Sequence, residues 1–174
     1  MRSPRLFVLA GVAALLFLGG ALRAETTVTL KGVHICCPNC IKTMNSVADK
    51  GGFDVKADRG AKTVTITAAN AKAAQKAVDA IAAAGFYGTS NSKEVKIKDD
   101  SGAKAGKVAR LTVRGAHNCC GNCCKALKAA VGKVDGVAGD TAKPKAKSFV
   151  VEGNFDAADL VKALNKAGFH VKVK

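Results

Sequence analysis

The sequence predicts an α+β chain: two tandem β-α-β-β-α-β sandwiches behind an export leader. The first residues have the layout of a leader, and the remainder repeats itself at a fixed offset. Each copy passes through alternating and helical apolar spacing in the same order.

The leader is read over residues 1–24. Arg2 and Arg5 precede an apolar run from Leu6 to Leu18, and small residues follow at Gly19, Gly20, Ala21 and Ala24. The run is shorter than the roughly 20 residues of a membrane helix. Cleavage after Ala24, or after Ala21, would release a mature chain into the periplasm or the medium.

Shifting the chain by 83 residues lays Gly32 on Gly115, His34 on His117, Cys36 and Cys37 on Cys119 and Cys120, and Cys40 on Cys123. Far downstream the same shift lays Ala84, Gly85 and Phe86 on Ala167, Gly168 and Phe169. One register serves both ends, so the unit is duplicated. The expected division is a first module over 25–92, a polar linker over 93–107 rich in Lys, Asp, Gly and Ala, and a second module over 108–174.

Within each copy, Val28 and Leu30, or Leu111 and Val113, alternate with polar residues and predict a half-buried strand that runs into a cysteine loop. A helix follows, with Ile41, Met44 and Ala48, or Cys124, Leu127 and Val131, on one face. Two strands are expected over 53–58 and 62–68, and over 136–141 and 148–153. Ala74, Ala77, Val78 and Ile81, or Ala157, Leu160, Val161 and Leu164, mark a second helix that stops at Ala-Gly. A last strand over 86–90 or 169–173 completes the ferredoxin-like order.

The chain has 28 basic residues against 13 acidic and a formal charge of +15, but only 5% aromatic residues. Lysines are dispersed without a stacking platform, so nucleic acid is not expected as a partner. Such a surface suits weak association with an anionic cell envelope. No hydrolytic or group-transfer constellation is visible, and the chain is read as non-enzymatic.

All seven cysteines fall in two clusters. A disulfide framework spreads its staples over a fold, whereas a binding site gathers its ligands. Cys37 with Cys40, and Cys120 with Cys123, form Cys-x-x-Cys pairs at the start of a helix. There the free amides and the helix dipole favour thiolate. Thiolates select soft or borderline ions such as Cu(I), Zn(II) or Hg(II), about one per module. Cys36 and Cys119 read either as further ligands or as packed thiols. His34 and His117 read either as ligands or as loop histidines bonded elsewhere. Cys124 falls on Ile41 in the repeat and reads as a core residue.

These loops resemble those of the heavy-metal-associated domain family, which includes copper chaperones, the N-terminal modules of metal-pumping ATPases and periplasmic mercury-binding proteins. The resemblance implies that Cys37, Cys40, Cys120 and Cys123 are ligands and that Phe86 and Phe169 shield them. It also implies a membrane metal transporter or another metal-binding protein as partner. The present loops depart from the family's Gly-Met-x-Cys-x-x-Cys in having Val33 or Ala116 after the glycine. The first paired cysteine also lies two positions later, and each loop adds a histidine and a preceding cysteine. Two other readings stand beside this one: a thiol-disulfide redox protein, and a structural envelope protein whose Cys-x-x-Cys pairs are oxidised staples.

Overall fold

The computed structural model describes residues 24–174. The leader expected over 1–24 lies, Ala24 apart, outside them. Among the described residues no helix is long and apolar enough to cross a membrane.

The first half runs β1 (Thr26–Lys31), α1 (Pro38–Gly51), β2 (Asp54–Asp58), β3 (Thr63–Ala68), α2 (Ala71–Ala83) and β4 (Thr89–Ser90). The second runs β5 (Lys107–Arg114), α3 (Gly121–Val131), β6 (Val137–Asp140), β7 (Ser148–Asp156), α4 (Ala157–Lys166) and β8 (Lys172–Val173). The described residues thus form two four-stranded antiparallel sheets of the same order, β2-β3-β1-β4 and β6-β7-β5-β8. That is the ferredoxin-like β-α-β-β-α-β pattern in each half.

Strand alternation decides which face is covered. Val28 pairs with Ile66 and Leu30 with Val64, and all four are fully buried. Thr29 and Thr65 meet on the other face, hydroxyl to hydroxyl at 3.4 Å. Helix α1 covers the apolar face with Cys40, Met44 and Ala48, spaced four apart, and α2 with Ala74, Ala77, Val78 and Ile81. Asn70 caps α2 through the Ala73 amide, and Asp156 caps α4 through the amides of Ala158 and Asp159. In α1, Pro38 occupies the first turn, where its missing N–H costs nothing.

Two details add to these expectations. The stretch 93–107 is more than a solvated tether. Val95 and Ser101 are buried, the Ser101 carbonyl accepts from the Val173 amide at 2.8 Å, and β5 already begins at Lys107. The last strands are also shorter than expected. Phe86 leaves its own sheet and forms an antiparallel bridge with Phe169, so β4 is confined to Thr89–Ser90 and β8 to Lys172–Val173.

That bridge is the centre of a junction between the halves. The Gly168 carbonyl accepts from the amides of His34 at 3.4 Å and Tyr87 at 3.0 Å. The Gly85 carbonyl accepts from those of His117 at 3.2 Å and His170 at 3.1 Å. These are the same residues at the repeat offset, so the junction is two-fold related. A Cβ on Gly85 would run into the backbone of Gly115 to His117, and one on Gly168 into that of Gly32 to His34. Both glycines sit at φ +90°. Each Ala-Gly stop therefore has a second role: it lets the other half's cysteine loop approach backbone to backbone.

Candidate metal centre

Each cysteine loop leaves the first strand of its half and enters a helix at a cysteine. Cys37 and Cys120 are the N-caps of α1 and α3, both in extended backbone, and neither helix has a side-chain cap hydrogen bond. The positive end of each helix thus faces a sulfur, while in α1 the Cys40 amide already donates to the Cys37 carbonyl at 3.1 Å. Asn118 braces the second loop, its Nδ2 donating to the carbonyls of Lys143 at 2.7 Å and Ala146 at 3.3 Å.

Because the junction packs loop against loop, the two clusters merge. Within each loop the paired sulfurs lie 3.8 Å apart, Cys37 from Cys40 and Cys120 from Cys123. The preceding cysteines lie 3.9 Å (Cys36 to Cys40) and 3.7 Å (Cys119 to Cys123) from the second member of the pair. Across the junction the separations are as short: Cys36 to Cys123 3.3 Å, Cys36 to Cys120 3.5 Å, Cys37 to Cys119 3.6 Å and Cys40 to Cys119 4.0 Å. A tetrahedral ion with metal–sulfur bonds of about 2.3 Å places its sulfurs about 3.8 Å apart, so this spacing suits shared coordination.

Both histidines lie beside the sulfurs. A ring nitrogen of His117 shares a 4.8 Å neighbourhood with the sulfurs of Cys40, Cys119 and Cys123, and one of His34 with those of Cys36 and Cys123. His34 stacks on Phe169 at 4.5 Å between ring centroids, and His117 on Phe86 at 4.2 Å. The Nε2 of each histidine is buried without a hydrogen-bond partner. An orphaned buried nitrogen is costly unless something binds it. Phe86 and Phe169 thus shield the other half's loop, where the family resemblance places each beside its own.

The sulfurs do not all ionise alike. The neighbouring Cys123 thiol pulls Cys40 far down, and the same pairing, together with burial, pushes Cys123 up. Since Cys40 and Cys123 are two-fold mates, one easy and one difficult deprotonation belong to the pair. The Cys123 amide chiefly draws Cys120 down to about 6, while burial pushes Cys36 up to about 12 and Cys119 higher still. Burial also lowers His34, which keeps its imidazole neutral and its lone pair free for a metal.

The structure gathers eight sequence-nominated residues into one place: His34, Cys36, Cys37, Cys40, His117, Cys119, Cys120 and Cys123. Cys124 stands apart, 4% exposed on the core face of α3 and outside every candidate ligand group. Sequence reasoning missed the roles of Gly85 and Gly168. Their signal was the Ala-Gly-Phe element repeated in the same register as the loops.

No protein-family model and no curated protein matches the chain. Among solved structures it is similar to the N-terminal soluble domains of Bacillus subtilis CopA, with 17% identity, covering 88% of this chain and 96% of that one, at a TM-score of 0.32. It is likewise similar to the water-soluble region of the P-type ATPase CopA from Bacillus subtilis, with 18% identity, 88% and 93% coverage and the same TM-score. Superpositions this loose carry no argument about what the chain binds. The sulfur geometry carries it instead: this is a site whose donors fit a soft metal ion.

Proposed function

We propose that the chain is an exported, non-enzymatic protein of the heavy-metal-associated kind that sequesters a soft ion, Cu(I), Zn(II) or Hg(II), where its two cysteine loops meet. The observation that carries the reading is the six-sulfur cluster closed across the junction at 3.3–4.0 Å, with two unpartnered imidazole nitrogens beside it. Sulfur and neutral imidazole suit soft and borderline ions and disfavour Ca(II) and Mg(II).

The closure favours holding over rapid relay. Cys40 and Cys123 are fully buried, whereas Cys36, Cys37, Cys119 and Cys120 are half-buried. Transfer to a membrane transporter or another metal-binding protein would begin at the half-buried sulfurs and draw on the two buried ones last. The supporting experiment is native mass spectrometry of protein isolated anaerobically, with metal content and thiol state read together. Thiolate-bound soft metal is expected. A metal-free chain with its Cys-x-x-Cys pairs oxidised would overturn the proposal in favour of redox or structural roles.

A further inference from the structure

We infer that the two loops form a single polynuclear centre, in which at least two ions are linked through shared thiolates and each ion takes ligands from both halves. The inference rests on the soft-metal reading and concerns how the metal is held. Three observations lead to it.

The first is a surplus of donors. Six sulfurs and two imidazoles surround one small volume, whereas a tetrahedral ion accepts four ligands and Cu(I) commonly two or three. One ion would leave at least half the donors unused, their thiols crowded together with no water between sulfurs 3.3–4.0 Å apart.

Connectivity supplies the second. Both ligand groups that include a histidine cross the junction: His117 and Cys119 with Cys40, and His34 and Cys36 with Cys123. Cys123 belongs to both groups, and each of the other five sulfurs also belongs to at least one further group or lies within 4.0 Å of a member of one. A thiolate has lone pairs enough for two metals, so a donor common to two ligand groups is a bridge. Binding one ion through such a donor positions the rest of the next group, which makes loading cooperative.

Charge balance is the third. As each thiol ligates, its proton passes to solvent, and six thiolates gathered around one monovalent or divalent ion would keep a large negative excess in a half-buried place. Several cations offset it, helped by the positive ends of α1 and α3, both of which begin at the centre.

The test is an anaerobic Cu(I) titration of the reduced full chain, followed by native mass spectrometry and by X-ray absorption at the copper edge. The expected result is direct conversion of apo protein to a species with two or more ions. The singly loaded form stays minor throughout, and the absorption spectrum contains a short copper–copper vector. Cys123→Ser should abolish cooperative loading and the copper–copper vector, although it removes a sulfur from one loop only. Cys36→Ser, at a less buried position, should do the same if Cys123→Ser perturbs the fold by circular dichroism. Stepwise loading of one and then a second ion, no copper–copper vector, and an intact first-loop ion in Cys123→Ser would overturn the polynuclear centre while leaving soft-metal binding in place. Failure of the reduced chain to bind Cu(I) at all would overturn both.

Discussion

His34 lies stacked on Phe169, ring centroids 4.5 Å apart, although the two residues belong to opposite halves of the chain. Its two-fold mate, His117 on Phe86, repeats the contact at 4.2 Å. Each half thus supplies the apolar wall of the other's loop, and the sulfurs meet between these walls.

Phe169→Ala removes a fully buried ring from this wall. It is expected to cost about 3–5 kcal/mol in urea unfolding, the range for deleting a buried aromatic. It should also weaken metal binding, because it frees His34 of the first loop. An effect on the second loop alone would contradict the crossed arrangement.

Gly85→Ala and Gly52→Ala separate junction effects from backbone strain. Both glycines have positive φ, +90° and +66°, but a Cβ at Gly52 meets open space whereas one at Gly85 strikes the opposite loop. Gly52→Ala should cost about 1–2 kcal/mol of left-handed strain. Gly85→Ala should cost more and lower metal affinity as well. Equal losses of stability with unchanged metal binding would show that the close approach is unimportant.

Cys124→Ala should leave metal stoichiometry unchanged and cost roughly 1 kcal/mol for the lost buried volume. The residue is buried beside Leu127 and apart from the sulfur cluster. A tenfold loss of affinity on titration with Cu(I) or Zn(II) would make it a ligand.

Asp100 ties the connecting stretch to the second half, with one carboxylate oxygen 2.8 Å from His170 Nε2 and the other 2.8 Å from Lys172 Nζ. The hydrogen bond from Lys172 is the chief cause of its lowered pKa. A carboxylate whose pKa is depressed on folding contributes stability above its unfolded value of about 3.9, and that contribution is lost as pH falls through the folded value. Asp100→Asn should therefore destabilise the protein near neutrality by no more than about 1 kcal/mol, since the carboxylate is half exposed. The difference from the wild type should vanish in acid. A difference independent of pH in urea unfolding would place its cause elsewhere.

Much of the fold is legible in the sequence because two periods differ so clearly. The Val28, Leu30 alternation fits a strand with one covered face, and the spacing of Ala74, Ala77, Val78 and Ile81 fits a helix. The residues that gather at the junction were equally visible as clustered His and Cys. Their union was not, because periodicity describes which face of an element is apolar and not which module that face meets. Phe86 and Phe169 illustrate the gap. Each reads as the start of its own fourth strand, yet the open backbone at the preceding glycine lets it bridge to its counterpart instead. The stretch 93–107 misleads in the same way: its composition is that of a tether, but single apolar or small residues such as Val95 and Ser101 suffice to dock it.

The facing of the two loops is tested most directly by proton–proton Overhauser spectroscopy of the reduced chain, reading the rings of His34 and Phe169. A separation of 4.5 Å between ring centroids predicts a clear cross-peak between them, mirrored by one between His117 and Phe86. The absence of both peaks, with the expected peaks inside each half present, would show that the cysteine loops do not face one another and would leave two separate sites.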